Sequence, residues 1–325
     1  MTCPGCLKKN QNGYCRKCRK ELFNGKNVDA ILPFNSPYSE ENQIFLDHTK
    51  RISISGVQIK YSLQLVDDQL QLTDTGGQYI IKPIPTGTFS NLDQAPANEH
   101  LTMQMAKQVY KIDTPPNALI FFSDQSPAYI TRRFDRVKGK KLQQEDFAQI
   151  ARMTTETHGA NYKYDLSYEE IVEYIQNYIP TYRIEIEKFF HLILFNYVVS
   201  NGDAHLKNFS AIQTRDGDYV LTPAYDLLCT KFQAPNEADL ALMLFKEGFS
   251  KAYESYGFYT YQDFWEFGQK IGIKRSRVEK ILYNYLVPQP LAGDLIQQSF
   301  LSAKSKELYK SYYADRIHRL NMGRS

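Results

Sequence analysis

The spacing of apolar residues changes once along this chain of 325 residues, and that change limits the possible folds more than any other feature. Between positions 52 and 82, apolar and polar residues alternate with a period close to two, which predicts half-buried strands. After Lys141 the apolar residues recur mostly at helical spacing. We therefore expect an α+β protein with two lobes, in which an antiparallel sheet precedes a mostly helical region.

Turn signals divide the first region into an antiparallel meander, and Asn91–Tyr110 has the period of one helix that packs against the sheet. The expected strands lie at 52–55, 61–65, 70–72, 79–82, 118–122 and 128–134. The expected helices of the second region lie near Glu145–His158, Ser167–Tyr178, Ile184–Ser200, Tyr261–Ile271, Lys274–Tyr285 and Leu291–Arg319. A hairpin around Asp216-Gly217-Asp218 interrupts these helices.

Four of the five cysteines lie within the first twenty residues, as Cys3, Cys6, Cys15 and Cys18. Their pattern, C-x2-C-x8-C-x2-C, is typical of a closed structural site in which four thiolates bind one Zn²⁺. The competing interpretation is a redox dithiol, which would normally accompany a thioredoxin-like βαβ unit, and no such pattern follows. We expect residues 1–20 to form a small zinc knuckle.

The same twenty residues carry six lysines and arginines and no acid. Because the whole chain carries a net charge of +3, residues 21–325 carry −3, and the knuckle is expected to be a basic appendage on an acidic body. Its basic residues are either contacts for nucleic acid or solvated charge, and the second is the default. The chain has no run of eighteen uncharged apolar residues and no apolar signal-peptide centre, so we expect a cytoplasmic protein without a membrane partner.

The loop NGDAHLKN at 201–208 and the segment PAYDL at 223–227 bring together residue types that phosphoryl transfer requires. Asp203 would orient or deprotonate a substrate hydroxyl, while Asn208 and Asp226 would bind Mg²⁺ on nucleotide phosphates. The alternative is a polar turn in which the Asp and Asn side chains cap helices.

Upstream residues favour the nucleotide site. Lys82 ends an apolar strand, where a lysine is costly to bury unless it meets phosphate or carboxylate, and Glu99 lies where it could pair with Lys82. The segment SISGVQIK, Ser53 to Lys60, is a candidate phosphate-facing loop. Its alternative is a serine-rich edge strand with a bulge at Gly56.

These motifs resemble the HipA-type toxin kinases, Ser/Thr protein kinases of bacterial toxin–antitoxin systems. The resemblance covers roughly residues 25 to 320, and its motifs occur in the order of the family. It rests on RISISGVQIKYSL at 51–63, YIIKP at 79–83, ITRRFDR at 130–136, NGDAHLKNFS at 201–210 and PAYDLL at 223–228.

The resemblance implies a protein-kinase-like fold with a first lobe at 21–140 and a helical lobe at 141–325. It implies that the backbone of Arg132 and Phe134 forms the hinge for adenine, that Lys82 contacts ATP phosphates and that Asp203 is the catalytic base. It also implies autophosphorylation of Ser53, with Ser55 as a second hydroxyl. The remaining residues implied for ATP, phosphates or Mg²⁺ are Gly56, Val57, Gln58, Lys60, Glu99, His205, Lys207, Asn208 and Asp226.

Full-length members of the family have a further subdomain ahead of the serine loop, whereas only about fifty residues precede it here. The chain therefore resembles the short, HipT-like kinases of split systems. The implied partners are a small separate protein that supplies the missing subdomain, a helix-turn-helix antitoxin and, through it, operator DNA. The implied substrate is a translation factor such as an aminoacyl-tRNA synthetase.

Two other functions remain open on the sequence. The first is a small-molecule kinase of the aminoglycoside or choline type, which shares the metal-binding loop pattern but does not require SISGVQ. The second is a zinc-bearing binding protein on an inactive kinase fold, which the presence of Lys82, Asp203, Asn208 and Asp226 disfavours.

Overall fold

The structure is a computed structural model, and it describes residues 1–38, 59–137 and 139–324. A five-stranded antiparallel sheet forms the first lobe, with the strand order β2-β1-β3-β5-β4. Its strands are β1 (Tyr61–Val66), β2 (Gln69–Leu72), β3 (Tyr79–Pro83), β4 (Asn117–Phe121) and β5 (Pro127–Arg132). The expected strand at 52–55 lies outside the described residues.

The expected meander is wrong in one respect, because β3 pairs with β1 and not with its sequence neighbour β2. The loop between β1 and β2 consists of Asp67 and Asp68 alone, since Val66 is opposite Gln69. Both aspartates have positive φ, at 46° and 65°, which is the conformation that a two-residue hairpin of type I′ requires. β2 thus folds back at the sheet edge and leaves the other side of β1 to β3.

Two helices accompany the sheet. Helix α1 (Arg16–Phe23) begins inside the cysteine-rich segment, and helix α2 (Ala95–Gln108) crosses behind β4 and β5. Nearly every residue of α2 is buried, because it lies between the sheet and the second lobe. Its Leu101, Met103 and Met105 belong to the core of the second lobe.

The cysteine-rich segment packs into the first lobe, which corrects the expectation of an appendage. Tyr14, Leu22 and Phe23 are buried in the same apolar cluster as the sheet residues. The Tyr14 hydroxyl donates to the Leu119 carbonyl (2.8 Å), and the Leu119 amide donates to the Pro4 carbonyl (2.9 Å). The charge of the segment predicts solvation, but Tyr14 within it and Leu22 and Phe23 directly after it are large apolar side chains whose burial is favourable.

The second lobe is mostly helical, with a small sheet of order β10-β9-β8 at the lobe boundary. Two residue pairs, Arg136–Val137 (β6) and Lys140–Lys141 (β7), form a short separate ladder. The small sheet comprises β8 (Gln144–Asp146), β9 (Ser210–Gln213) and β10 (Tyr219–Leu221). The helices are α3 (Phe147–Ile150), α4 (Thr155–His158), α5 (Tyr168–Tyr178), α6 (Tyr182–Val198), α7 (Lys251–Tyr256), α8 (Tyr261–Lys270), α9 (Arg275–Tyr283), α10 (Pro290–Gln298) and α11 (Ala303–Asn321).

Two expected helices are divided in the structure. The region 145–158 contains the end of β8 and two single-turn helices, because Asp146 and Thr154 each form a capping box that starts a new turn. The region 291–319 is broken before Ser302, whose side chain accepts from the Ser305 amide and caps α11. Within the described ranges, no helix is long and apolar enough to cross a membrane.

Two helical glycines provide a matched test of the packing in the second lobe. A Cβ at Gly268 in α8 would lie 2.7 Å from Val278 of α9, whereas a Cβ at Gly293 in α10 would meet nothing within 4 Å. We expect Gly268→Ala to lower the free energy of unfolding by about 1–3 kcal/mol through overpacking. Gly293→Ala should raise it by about 0.5–1 kcal/mol, because alanine loses less backbone entropy in a helix. Urea unfolding of both variants measures this, and equal effects would contradict the packing of α8 on α9.

Candidate active site and thiolate cluster

Lys82 and Glu99 form a buried ion pair between the sheet and α2. Lys82 lies near the end of β3, and its ammonium donates to Glu99 Oε1 at 2.6 Å. Both residues are almost fully buried. Burial raises the pKa of Glu99 to about 7, although Lys82 opposes this shift. An unpaired ammonium would be strongly destabilising at this depth, so the pairing is one constraint on where α2 lies relative to β3.

The same ammonium also contacts Asp226, which follows β10 in the second lobe. Burial alone would raise the pKa of Asp226, but the charges of Lys82 and then Lys60 lower it well below its ordinary value. Asp226 therefore carries its negative charge at neutral pH. Its backbone has φ of 59°, a left-handed conformation that is uncommon outside glycine and that occurs often at functional sites.

Asn208 lies beside Asp226 in the loop that follows α6. Its Nδ2 donates to Asp226 Oδ2 (2.9 Å), and its Oδ1 accepts from the His205 amide (3.1 Å). Carboxylate and amide oxygens are the ligands that Mg²⁺ prefers. Asp226 would offer its carboxylate to such an ion directly, whereas Asn208 would have to turn its amide oxygen from the His205 amide toward Asp226 to share the ion.

Asp203 lies in the same loop, five residues before Asn208. Its Oδ1 accepts a hydrogen bond of 2.6 Å from the hydroxyl of Tyr164, a residue that sequence reasoning missed. The Tyr164 ring packs edge-on against His205, whose pKa burial lowers to about 4, which keeps the imidazole neutral at pH 7. The Tyr164 hydroxyl therefore occupies the position on the Asp203 carboxylate at which a substrate hydroxyl was predicted to bind.

Gly202 fixes the start of this loop. Its amide donates to Thr230 Oγ1 (2.7 Å) and to Glu237 Oε1 (3.3 Å). A Cβ at Gly202 would lie 2.5 Å from the Ala238 carbonyl, so only glycine allows this close approach. Sequence reasoning also missed Glu237, because its link to the loop depends on a contact across 35 residues that no local pattern reveals.

The expected hinge lies at the end of β5. The Arg132 amide donates to the Pro116 carbonyl (2.9 Å), and Pro116 has no N–H with which to return the bond. The Arg132 side chain points toward α1 and donates to Asn24 Oδ1 (2.6 Å). Phe134 stacks on Tyr225, with ring centres 5.9 Å apart, next to Asp226.

Of the remaining predicted residues, Lys60 and Lys207 belong to the part of the chain that the structure describes, and five others do not. Lys60 lies immediately before β1; Asp226 raises its pKa, but Lys82 and burial together lower it. The Lys207 side chain is exposed, and its carbonyl accepts from the Tyr225 hydroxyl (3.0 Å). Ser53, Ser55, Gly56, Val57 and Gln58 lie outside the described residues.

The four cysteines of the first segment converge on one point. The sulfur atoms of Cys3, Cys6, Cys15 and Cys18 all lie within 4.8 Å of one another. Hydrogen bonding to Cys3 and Cys6, together with burial, raises the pKa of Cys18 well above its ordinary value. The Cys15 amide donates to Cys3 Sγ (3.3 Å), and a Cβ at Gly5 would lie 2.6 Å from Cys18 Sγ. This donor set fits one tetrahedral Zn²⁺.

Glu237 predicts a pH-dependent stability. Burial raises its pKa from 4.5 to about 7, so folding favours the protonated carboxyl. The stability that this proton contributes is present below pH 4.5 and is lost as the pH rises toward 7. Glu237→Gln should therefore raise the melting temperature relative to the native protein more at pH 8 than at pH 5. Glu307→Gln, on the exposed side of α11, serves as the control, and an equal difference at both pH values would contradict this assignment.

Comparison with known proteins identifies the family. The sequence profile of the HipA-like C-terminal domain matches residues 52–287. A Haemophilus influenzae protein named "Putative kinase" is 30% identical over 336 residues, which cover 97% of this chain and 95% of that protein. A Sinorhizobium fredii protein named "Putative kinase Y4dM" is 30% identical over 55% of this chain and 45% of its own length.

Two solved structures share the fold. HipA from a toxin–antitoxin complex with HipB and operator DNA of Shewanella oneidensis aligns with a TM-score of 0.63 at 20% identity, over 83% of this chain and 65% of that chain. The Helicobacter pylori proinflammatory kinase CtkA aligns with a TM-score of 0.50 at 13% identity, over 79% and 90%. This chain thus spans slightly less than two thirds of the Shewanella HipA chain. Because the profile matches well over half of the residues and the Haemophilus relative aligns nearly end to end, this protein belongs to the HipA-like C-terminal domain family and has a kinase-like fold.

Proposed function

We propose that this protein is an ATP-dependent Ser/Thr protein kinase and the toxin of a bacterial toxin–antitoxin system. The observation that carries the proposal is the position of the Lys82 ammonium between Glu99 and Asp226, with Asn208 in contact with Asp226. A lysine on a strand, a glutamate on the adjoining helix and a metal-binding acid are the parts that kinases require together. In this protein Lys82 and Glu99 come from the first lobe and Asp226 comes from the second.

The proposed reaction forms a bond between the acceptor hydroxyl oxygen and the γ-phosphorus of ATP. The bond between that phosphorus and the β–γ bridging oxygen breaks, and ADP leaves. Asp203 receives the proton of the acceptor hydroxyl, while Lys82 neutralises charge on the phosphates. For this to occur, the acceptor hydroxyl must replace Tyr164 as the hydrogen-bond donor to Asp203 Oδ1.

The proposed acceptor within the chain is Ser53 or Ser55. Both lie within eight residues of Lys60, whose pKa responds to the charges of Asp226 and Lys82. A phosphoserine carries about −1.5 to −2 charge at pH 7. Such a charge beside a site that must receive anionic ATP would repel the nucleotide, so the modification would switch the enzyme off.

The proposed partners follow from the family. The Shewanella HipA crystallised with HipB and operator DNA. We propose that this chain likewise acts with a helix-turn-helix antitoxin and, through it, with operator DNA. A separate small protein would supply the part of HipA that this chain does not match, and a translation factor such as an aminoacyl-tRNA synthetase would be the substrate.

Phosphate transfer to the chain itself tests the proposed kinase. Dephosphorylated protein incubated with Mg²⁺ and ATP should gain about 80 Da per site, on the peptide that contains Ser53 and Ser55. Asp203→Asn and Asp226→Asn should each lower the rate at least about hundredfold, because each removes a charge that the transfer requires. Asp216→Asn, in the exposed β9–β10 hairpin, should retain the native rate.

Intact-mass spectrometry and circular dichroism of all four proteins complete this experiment. Native activity in the Asp203 or Asp226 variant would contradict the assigned roles. Native protein that binds ATP and transfers no phosphate would contradict the kinase.

We also propose that the four-cysteine cluster binds structural zinc. The reduced protein should contain one Zn²⁺ per chain by elemental analysis, because the four sulfur atoms already converge on one point. Cys6→Ser should lose the metal, whereas Cys229→Ala should retain it, since Cys229 lies in the core of the second lobe. Metal-free native protein under reducing conditions would contradict the site.

A further inference from the structure

Three consecutive carbonyls of the knuckle accept hydrogen bonds from the rest of the first lobe. The Pro4 carbonyl accepts from the Leu119 amide of β4 (2.9 Å), and the Gly5 carbonyl accepts from His100 Nε2 (3.0 Å). The Cys6 carbonyl accepts from Gln108 Nε2 (3.0 Å). Two of these three donors are side chains of α2, the helix that carries Glu99.

The α2 residues that contact the knuckle form one stripe. His100, Gln104 and Gln108 follow one another at intervals of four, and residues at this spacing share a face of a helix. Gln104 links the stripe to the sheet, because it accepts from Gln108 and donates to Asn117 Oδ1, both at 2.8 Å. Every member of the stripe is therefore bonded to the knuckle or to another member.

The chemistry of His100 makes its bond directional. A carbonyl can only accept, so Nε2 carries the proton. Burial lowers the pKa of His100 to about 4, which keeps the ring neutral at pH 7. His100 adjoins Glu99 in the sequence, so the Gly5 carbonyl restrains the helix turn that brings Glu99 to Lys82.

A second contact joins α2 to α1 near the end of α2. Lys107 donates to Glu21 of α1 at 2.6 Å, and α1 also carries Cys18. The knuckle thus contacts α2 both through its first loop and through its helix. Loss of the metal would free the loop that presents Pro4, Gly5 and Cys6, because Cys3 and Cys6 are the ligands that fix its two ends.

We propose that the metal-loaded knuckle positions α2 for catalysis, with His100 and Gln108 as positioning residues for the Lys82–Glu99 pair. This inference rests on the proposed kinase function. Kinases are active only when the strand lysine and the helix glutamate are in place. The cysteine cluster then controls nucleotide affinity from outside the nucleotide site.

A cleft gives access to this metal site. It has a volume of about 360 Å³ and lies between the knuckle, α2 and α10, and its walls include Cys6 and Cys18. Because two of the four cysteines line this cleft, we expect a chelator to remove the metal without unfolding of the lobe. The metal-free state of the complete protein can therefore be prepared and compared with the loaded state.

Hydrogen–deuterium exchange of the full chain, without nucleotide, tests the positioning directly. On removal of Zn²⁺, we expect peptides of α2 and of β4 around Leu119 to exchange at least about fivefold faster, because each lost hydrogen bond favours the open state by about that factor. Peptides of α8 should not change. Unchanged exchange in α2 would overturn the inference, as would an equal increase throughout the chain, which would indicate global destabilisation.

Gln108→Leu tests the link while the metal is retained. We expect one Zn²⁺ per chain and faster exchange in α2. The KM for ATP should rise and kcat should not change, because saturating ATP shifts the population back to the conformation in which α2 is correctly placed. Gln269→Leu in α8 is the matched control, because among the described residues its side chain donates to the Trp265 carbonyl of its own helix and to no other element. A lower kcat with unchanged KM would overturn the positioning role.

The two readouts separate this inference from the proposed function. If α2 responds to Zn²⁺ but the native protein transfers no phosphate, the structural link between the metal and α2 stands, whereas the kinase proposal and with it the catalytic role of that link fail. If the native protein is an active kinase whose α2 exchange and KM for ATP do not depend on Zn²⁺, the kinase proposal stands and this inference fails.

Discussion

The ammonium of Lys82 is the point at which the two lobes depend on each other. It is buried, and it meets Glu99 from α2 and Asp226 from the loop after β10. Removal of either carboxylate would leave a buried positive charge with half of its compensation, which is among the costliest defects in a protein interior. The carboxylates are not equivalent, because burial raises the pKa of Glu99 to about 7 whereas Lys82 and Lys60 lower that of Asp226. Asp226 is thus the firmly ionised partner, and it is the one that contacts Asn208.

Helix α2 links this charge arrangement to distant parts of the molecule. On one side, Asn98 exchanges two hydrogen bonds with the backbone of Cys229, three residues after Asp226. Thr102 shares a hydrogen bond with Tyr309 of α11. On the other side, His100 and Gln108 contact the knuckle. Glu99 therefore lies on a helix that is held by polar contacts in both directions, which explains how so many polar residues are accommodated in a nearly fully buried helix.

The sequence was most informative where function depends on the order of short motifs. The pairing of Lys82 with Glu99 and the proximity of Asn208 to Asp226 could be predicted, because each motif has a fixed place on a strand, helix or loop. Most strands and helices followed from periodicity. The breaks at Asp146, Thr154 and Ser302 were missed, since a capping side chain stops a helix without changing the apolar pattern around it. Tyr164 and Glu237 were missed for a different reason: each reaches the loop at 201–208 only through the tertiary fold.

The contact between the knuckle and α2 shows that a polar stripe on a helix can mark either a solvated face or a buried interface. Polar residues at intervals of four on a helix normally mark a solvated face, and His100, Gln104 and Gln108 would be interpreted in that way. His100 and Gln108 instead donate to the main-chain carbonyls of Gly5 and Cys6 in the first loop of the knuckle, and Gln104 bonds to Gln108 and to the Asn117 side chain. Because Cys3 and Cys6 hold both ends of this loop at the sulfur cluster, its three carbonyls point outward toward α2 and β4. The polar stripe of α2 and the loop between Cys3 and Cys6 therefore form the two sides of one interface. The stripe can be interpreted only once the position of that loop is known.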